Sequence, residues 1–130
     1  MSSPRKQKSI IQSVKPGDIF YLDQPRLRGS DYPHYCVVLR IDGNSAYVNF
    51  LSSQIDCFNE NKGDIILKKS DEEFWTTGLV KDTFLINRDY ARDYVPIENL
   101  FALRGKIGYV SGEFKKRIED FWGESLDITT

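Results

Sequence analysis

The sequence is poor in the residues that build metal sites and disulfide frameworks. Its 130 residues include one histidine, His34, and only two cysteines, Cys36 and Cys57. Zinc sites and disulfide frameworks need several such residues at characteristic spacings, and the sequence shows neither pattern. We therefore expect the protein to work without a metal ion or another cofactor.

Long apolar runs and an excess of one charge are missing too. No stretch approaches the roughly 20 apolar residues of a membrane-spanning helix, and the positively charged start lacks the apolar core of a signal peptide. These features predict a cytoplasmic protein. The formal net charge of −1 at pH 7 excludes the strongly basic class of nucleic-acid-binding proteins. Glycine-rich phosphate loops, nucleophile elbows and internal repeats are absent as well.

The sequence contains enough apolar residues for one hydrophobic core, since 40% of the residues are hydrophobic and 13% are aromatic. Residues 1–14 are polar and are predicted to be a flexible arm. Residues 15–130 are predicted to form a single domain. The prolines, glycine and charges of residues 24–33 indicate a loop, long enough to suggest a functional one.

Short β-rich runs predict a small sheet. The first strand covers residues 19–22, and "YCVVLRI" and "AYVNFL" form a hairpin around "DGNS" at 42–45, where Gly43 and Asn44 can adopt positive φ. Further short strands are predicted in "DIILKK" and over residues 83–86. The stretch "YVPIENLFALRGKIG" is expected to give an extended piece, a turn near Pro96 and a last strand or loop.

An amphipathic helix is predicted near the end of the sequence. Phe114, Ile118, Phe121 and Trp122 recur at helical spacing, and Ser111 is in position to cap the helix. Glu113 would lie near the positive end of the helix dipole. About five strands with one helix predict a mainly β fold of the α+β kind, a small and strongly bent sheet or barrel.

The hairpin also predicts a candidate site. His34 begins one strand and Ser52 ends the next, at similar distances along the chain from the turn. In an antiparallel pair the start of one strand lies beside the end of the other, so both residues should emerge at the same end. The aromatic residues Tyr32, Tyr35, Phe74 and Trp75 are candidates for stacking on the bases of single-stranded RNA.

The order of the segments resembles the MazF/PemK family of ribonuclease toxins. The similar stretches are "KPGDIFYLD" at 15–23, "RGSDYPHYCVVL" at 28–39, "NFLSSQI" at 49–55, "GLVKDTFLI" at 78–86, and "GKIG" followed by the helix. The resemblance implies an SH3-like barrel, a homodimer, an antitoxin partner and metal-independent cleavage of single-stranded RNA. The family's catalytic Thr or Ser corresponds to Ser52. Its catalytic arginine corresponds to His34, which is a departure.

A histidine in place of the family's arginine suggests a different role in proton transfer. Histidine can exchange a proton near neutral pH, whereas arginine stays protonated. We therefore interpret His34 as a general acid or base and Ser52 as a hydrogen-bond partner of a phosphate oxygen. The other candidate substrate contacts are Arg26, Arg28, Asp31, Ser53, Gln54 and Arg88. One histidine fills one proton-transfer role, and the second would come from water, Asp31 or a second subunit.

Other readings stay open. His34 could be a structural residue at a strand entrance, and Ser52 and Ser53 could serve only the turn that follows their strand. The barrel could then be a non-catalytic module that binds a protein or a nucleic acid, which suits the near-neutral charge. A third alternative is a toxin that acts only through its partner-binding groove, with the acidic segment 56–73 covering the site.

Overall fold

The protein is described here by a computed structural model that covers residues 14–22 and 33–126. These described residues form seven strands and one α-helix: β1 Asp18–Leu22, β2 His34–Asp42, β3 Ser45–Ser52, β4 Ile65–Leu67, β5 Thr83–Leu85, β6 Arg92–Pro96, β7 Lys106–Tyr109 and α1 Gly112–Trp122. Short 3₁₀ turns lie at Ile55–Cys57, Glu60–Lys62, Glu72–Thr76, Asp89–Ala91 and Ile97–Phe101.

All strand pairs within the described residues are antiparallel. The strand order is β4-β5-β3-β2-β1-β7, and β6 pairs with β3 beside this path. The sheet curls into a half-barrel with the helix following it. The predicted mainly β fold with a small barrel-like sheet and a C-terminal helix is therefore confirmed.

The β2–β3 hairpin is confirmed with a two-residue turn. Asp42 pairs with Ser45, and Gly43 between them has a φ of 61°. A glycine with positive φ at the first central position is typical of a type II′ turn, whose twist matches that of the strands. The φ of Asn44 is not positive, although asparagine can adopt a positive φ. A type II′ turn requires a positive φ only at the first central residue.

Both faces of the β2–β3 pair are buried, which explains the continuous apolar run in β2. Cys36, Val38, Val48 and Phe50 pack into one cluster. The residues between them in the strands pack into a second cluster on the other face, which includes Phe114 and Ile118 of α1. The helix therefore covers the second face with the side chains that its periodicity predicts.

Strand β3 divides one of its edges between two partners. Ser45–Asn49 pair with β6, while Leu51 and Ser52 pair with β5. The side chain of Asn49 is fully buried at this junction. Its amide donates to the carbonyls of Phe50 and Ile86 at 3.0 and 2.9 Å, and its oxygen accepts from Nε of Arg92 at 3.0 Å. The backbone N–H groups of Ile86 and Arg88 also donate to these two carbonyls, at 3.3 and 3.0 Å. The Asn49 amide therefore adds a second hydrogen bond to each and is itself satisfied in the core.

A second polar junction ties β5 to the segment between β3 and β4. The buried carboxylate of Asp64 accepts two hydrogen bonds from the Arg88 guanidinium at 2.8 and 3.2 Å. It also accepts from the backbone N–H groups of Asn59 and Asn87, at 2.9 and 3.1 Å. Because both carboxylate oxygens are satisfied, this ion pair meets the condition under which a buried charge is tolerated.

The structure differs from the sequence predictions at three points. Ser111 occupies the N-cap position, but its hydroxyl pairs with Oγ1 of Thr76 at 2.9 Å and makes no capping bond to the helix. The described residues contain seven strands where about five were expected, and β6 and β7 lie in the stretch predicted to give an extended piece and a last strand or loop. Val14, at the end of the predicted arm, packs in the first cluster, and most of the predicted arm and loop lie outside the described residues.

The two cysteines should differ sharply in reactivity. Cys36 is fully buried, and burial raises the pKa of its thiol to about 12 despite a backbone hydrogen bond from Phe20. Cys57 is exposed. Since the thiolate is the reactive form, we expect iodoacetamide to label Cys57 alone in the folded protein and both cysteines after denaturation. Peptide mapping by mass spectrometry measures this, and equal labelling of Cys36 in the folded protein would contradict the packing.

Removing the charge of Asp64 should destabilise the fold. The variant Asp64→Ala leaves the Arg88 guanidinium and two backbone N–H groups without their acceptor, and breaking a buried pair in this way costs about 3–5 kcal/mol. Urea unfolding measures the loss. Asp71→Ala is the matched control, because that carboxylate is more exposed and accepts one backbone N–H. A similar loss for both variants would contradict the role assigned to Asp64.

Candidate functional site

A pocket of about 180 Å³ lies where β1 ends, β2 begins and β3 ends. It is lined by Tyr21, Pro33, His34, Tyr35, Leu51, Ser52, Ser53 and Gln54. The pocket is smaller than the roughly 300–1,000 Å³ of sites for drug-sized ligands. Its size therefore suits one small chemical unit, such as a single base or a phosphate group.

His34 begins β2 at a point where the β2–β3 ladder has ended. The last paired residues are Cys36 and Phe50, while His34 itself pairs with Leu22 of β1. Its Nδ1 lies 3.4 Å from the carbonyl oxygen of Leu51. Because a carbonyl only accepts, this contact requires the proton on Nδ1 and makes Nε2 the nitrogen that can accept another proton.

The surroundings of His34 favour the neutral imidazole. The ring is half-buried and lies edge-on to Phe50, with centroids 6.4 Å apart. Burial lowers the pKa of His34 below its usual 6.5, and the hydrogen bond to Leu51 offsets part of this effect. The neutral form is therefore favoured at neutral pH, which suits a general base better than a general acid.

Ser52 ends β3 and is buried, with 8% of its surface exposed. Its hydroxyl accepts a hydrogen bond from the backbone N–H of Gln54 at 3.1 Å. A hydroxyl has one proton to donate besides its two lone pairs, so this bond leaves its proton able to point toward a ligand. The same bond is the turn chemistry that the structural reading of Ser52 expects.

Strand geometry explains how His34 and Ser52 come together. The register that pairs Cys36 with Phe50 would place His34 opposite Ser52 if it continued toward the strand ends. Alternation puts both side chains on the face of the first cluster, whereas Tyr35 and Leu51 belong to the other face. The hairpin therefore places both residues at one end of the sheet, as predicted, and the pocket receives residues of both faces.

The remaining predicted residues separate into three groups. Ser53 and Gln54 line the pocket with Ser52. Arg88 is not part of the described lining, because its guanidinium is bound to Asp64. Arg26, Arg28 and Asp31 lie outside the described residues. The catalytic and binding roles of all these residues stay predictions.

The aromatic candidates differ in their accessibility. Tyr35 lines the pocket and Trp75 is 70% exposed. Phe74 is fully buried in the second cluster, so its expected stacking on a base is wrong, because the core needs that ring. Tyr32 lies outside the described residues.

Sequence reasoning missed two residues next to the pocket. Tyr21 lines it directly and lies 4.8 Å from Tyr35, centroid to centroid. Arg104, between a 3₁₀ turn and β7, places its guanidinium carbon 5.0 Å from the centre of the Tyr21 ring. The cross-strand pairing of Tyr21 with Tyr35 follows from the sheet register. No sequence pattern points to Arg104, because its approach to Tyr21 depends on how β7 returns to β1.

Comparison with protein-family models finds no match to this chain, and comparison with curated proteins finds none either. Within residues 14–22 and 33–126, no three side chains of His, Cys, Asp or Glu lie close enough together to hold a metal ion. The described part of the chain also contains no helix with the length and apolar character needed to cross a membrane.

The lowered pKa of His34 predicts a pH-dependent stability. Between the folded pKa and 6.5 the unfolded chain binds more proton than the folded one, so the free energy of unfolding should fall as the pH drops through this window. The variant His34→Gln lacks this titration, and the protein has no other histidine. Urea unfolding from about pH 7.5 to pH 5 should therefore show wild type losing stability relative to the variant. A constant difference between them would contradict the burial of the imidazole.

Proposed function

We propose that the protein is a metal-independent endoribonuclease that cleaves single-stranded RNA. The observation that carries the proposal is the pocket at the end of the sheet, which the half-buried His34 and the buried Ser52 line together. A neutral imidazole and a hydroxyl donor are two of the groups that phosphodiester cleavage by the RNA's own 2′-hydroxyl requires.

The proton balance assigns a role to each group. Nε2 of His34 takes the proton of the 2′-hydroxyl as its oxygen attacks the phosphorus. The bond from phosphorus to the 5′-oxygen breaks, which leaves a 2′,3′-cyclic phosphate and a 5′-hydroxyl. The hydroxyl of Ser52 donates a hydrogen bond to a phosphate oxygen while negative charge develops there.

The leaving 5′-oxygen needs a proton from a second group. The described lining of the pocket contains no carboxylate and no second histidine. The proton therefore comes from water, from Asp31, or from another copy of the chain. Positive charge for the phosphate is assigned to Arg26 and Arg28, as the sequence predicts, and these residues lie outside the described part of the chain.

The resemblance to MazF/PemK toxins supports the same reaction. The small half-barrel with a terminal helix is consistent with that family's architecture. Ser52 lies at the end of the third strand, where the family has its catalytic Thr or Ser. A homodimer, an antitoxin partner and a cytoplasmic location form part of this proposal.

A non-catalytic binding module is the second candidate. It is favoured by the internal bonds of both proposed catalytic side chains, since His34 binds the Leu51 carbonyl and Ser52 accepts from Gln54. In that case the pocket would hold a ligand without reacting. Expression in a bacterial host without the antitoxin separates the candidates, because only the ribonuclease should arrest growth.

Cleavage of a single-stranded RNA oligonucleotide in EDTA tests the ribonuclease. His34→Ala should lower the rate by about 10²–10⁴-fold, the range for loss of a general base. Ser52→Ala should lower it by about 10²-fold, as for one donor to a developing oxyanion. The rate should rise with pH to a plateau, with a midpoint below 6.5 set by the lowered pKa of His34.

Two controls sharpen this assay. Ser45→Ala changes the same residue type at the opposite end of β3 and should leave the rate unchanged. An oligonucleotide with 2′-deoxyribose throughout should not be cleaved, because the attacking hydroxyl is missing. Equal rates for wild type and both pocket variants would remove His34 and Ser52 from the mechanism.

A further inference from the structure

The two tyrosines of the pocket form a small aromatic surface beside the proposed catalytic pair. Tyr21 and Tyr35 are cross-strand neighbours whose rings are tilted by 49° at a centroid distance of 4.8 Å. Both rings are half-buried, so each keeps part of its surface accessible. Because both line the pocket together with His34 and Ser52, a flat ligand on this surface would lie next to the proposed reacting groups.

Arg104 adds a positive charge to this surface. Its side chain is exposed, and its guanidinium carbon lies 5.0 Å from the centre of the Tyr21 ring. Arg40, Arg88 and Arg92 each form an ion pair with an aspartate. Among the described residues no carboxylate pairs with Arg104, whose contact is the Tyr21 ring. Its guanidinium thus places a positive charge beside the Tyr21 ring.

These features match the chemistry of one nucleotide unit in a single strand. Every base offers a flat π-face that aromatic side chains stack on without regard to sequence. The planar guanidinium of arginine binds phosphate oxygens through paired N–H groups. Arg104 contacts the Tyr21 ring but does not line the pocket itself. Its side chain therefore does not fill the pocket, and its charge lies next to a ring that does line it.

We propose that Tyr21 and Tyr35 form a base-stacking subsite for single-stranded RNA, and that Arg104 binds the phosphate of the adjoining nucleotide. The ligand class rests on the proposed function. The subsite places one base beside His34 and Ser52, which would bring the sugar and phosphate of the same nucleotide to the reacting groups. It also supplies a cation from the described part of the chain, beside those predicted at Arg26 and Arg28.

Binding of a 2′-deoxy oligonucleotide tests the subsite separately from cleavage. The probe is a short single-stranded DNA with 2-aminopurine as one base, whose fluorescence reports stacking and whose backbone lacks the attacking 2′-hydroxyl. Arg104→Ala should weaken binding about tenfold and reduce the slope of log K against log salt by about 0.7, the value for one phosphate contact on a single strand. Arg104→Lys should retain the slope.

Tyr35→Leu should weaken binding about tenfold through lost stacking and leave the salt slope unchanged, while Tyr35→Phe should bind like wild type. Lys116→Ala removes an equal charge from an exposed position on α1 and should change the affinity by less than about twofold, since salt screens distant charges. Thermal unfolding of each variant confirms that it is folded.

Equal binding by wild type, Arg104→Ala and Lys116→Ala would overturn the subsite, as would a wild type that does not bind the probe. If these variants weaken binding as expected but His34→Ala leaves RNA cleavage unchanged, the subsite stands and the catalytic assignment fails. If binding is equal in all variants but His34→Ala abolishes cleavage, the ribonuclease stands without this subsite.

Discussion

The fold depends on strand β3, which pairs with three other strands. One edge pairs with β2 along most of its length, and the other edge changes from β6 to β5 after Asn49. Buried backbone groups at such a change of partner need hydrogen bonds, because unpaired groups are costly when buried. Backbone N–H groups donate to the carbonyls of Phe50 and Ile86. The Asn49 amide adds a second bond to each carbonyl, and its oxygen accepts from Arg92. One buried side chain thus links three segments at the place where the sheet divides.

The proposed site follows from this division. Leu51 and Ser52 lie just beyond Asn49, where β3 turns to β5 and its ladder with β2 ends. Leu51 pairs with no residue in the described part of β2, and its carbonyl contacts the His34 ring. The same contact favours one tautomer of the imidazole, and burial lowers its pKa and so favours its neutral form. A structural bond and a chemical role are therefore compatible in His34, because the bond uses Nδ1 and the proposed reaction uses Nε2.

Much of this arrangement could be predicted from local sequence. The Gly43 turn fixed the hairpin register, and the apolar spacing of Phe114 and Ile118 fixed the helix face. Residues whose partners are remote in sequence could not be predicted in this way. The hydroxyl of Ser111 forms a hydrogen bond with Thr76 and does not cap its own helix. The guanidinium of Arg88 forms an ion pair with Asp64.

Arg104 shows the same limit within the candidate site. It reaches Tyr21 only because β7 pairs with β1. Turn and helix signals act over a few residues, whereas these contacts depend on the order in which strands assemble. The sequence could therefore predict that His34 and Ser52 lie near each other, but it could not predict that Arg104 lies beside their pocket.

Nuclear magnetic resonance of the imidazole nitrogens tests the central claim most directly, since the protein has one histidine. The account predicts the proton on Nδ1 at neutral pH and a titration midpoint below 6.5. It also predicts that this signal shifts when a short 2′-deoxy oligonucleotide is added. A proton on Nε2, a midpoint at or above 6.5, and no response to the oligonucleotide would contradict it.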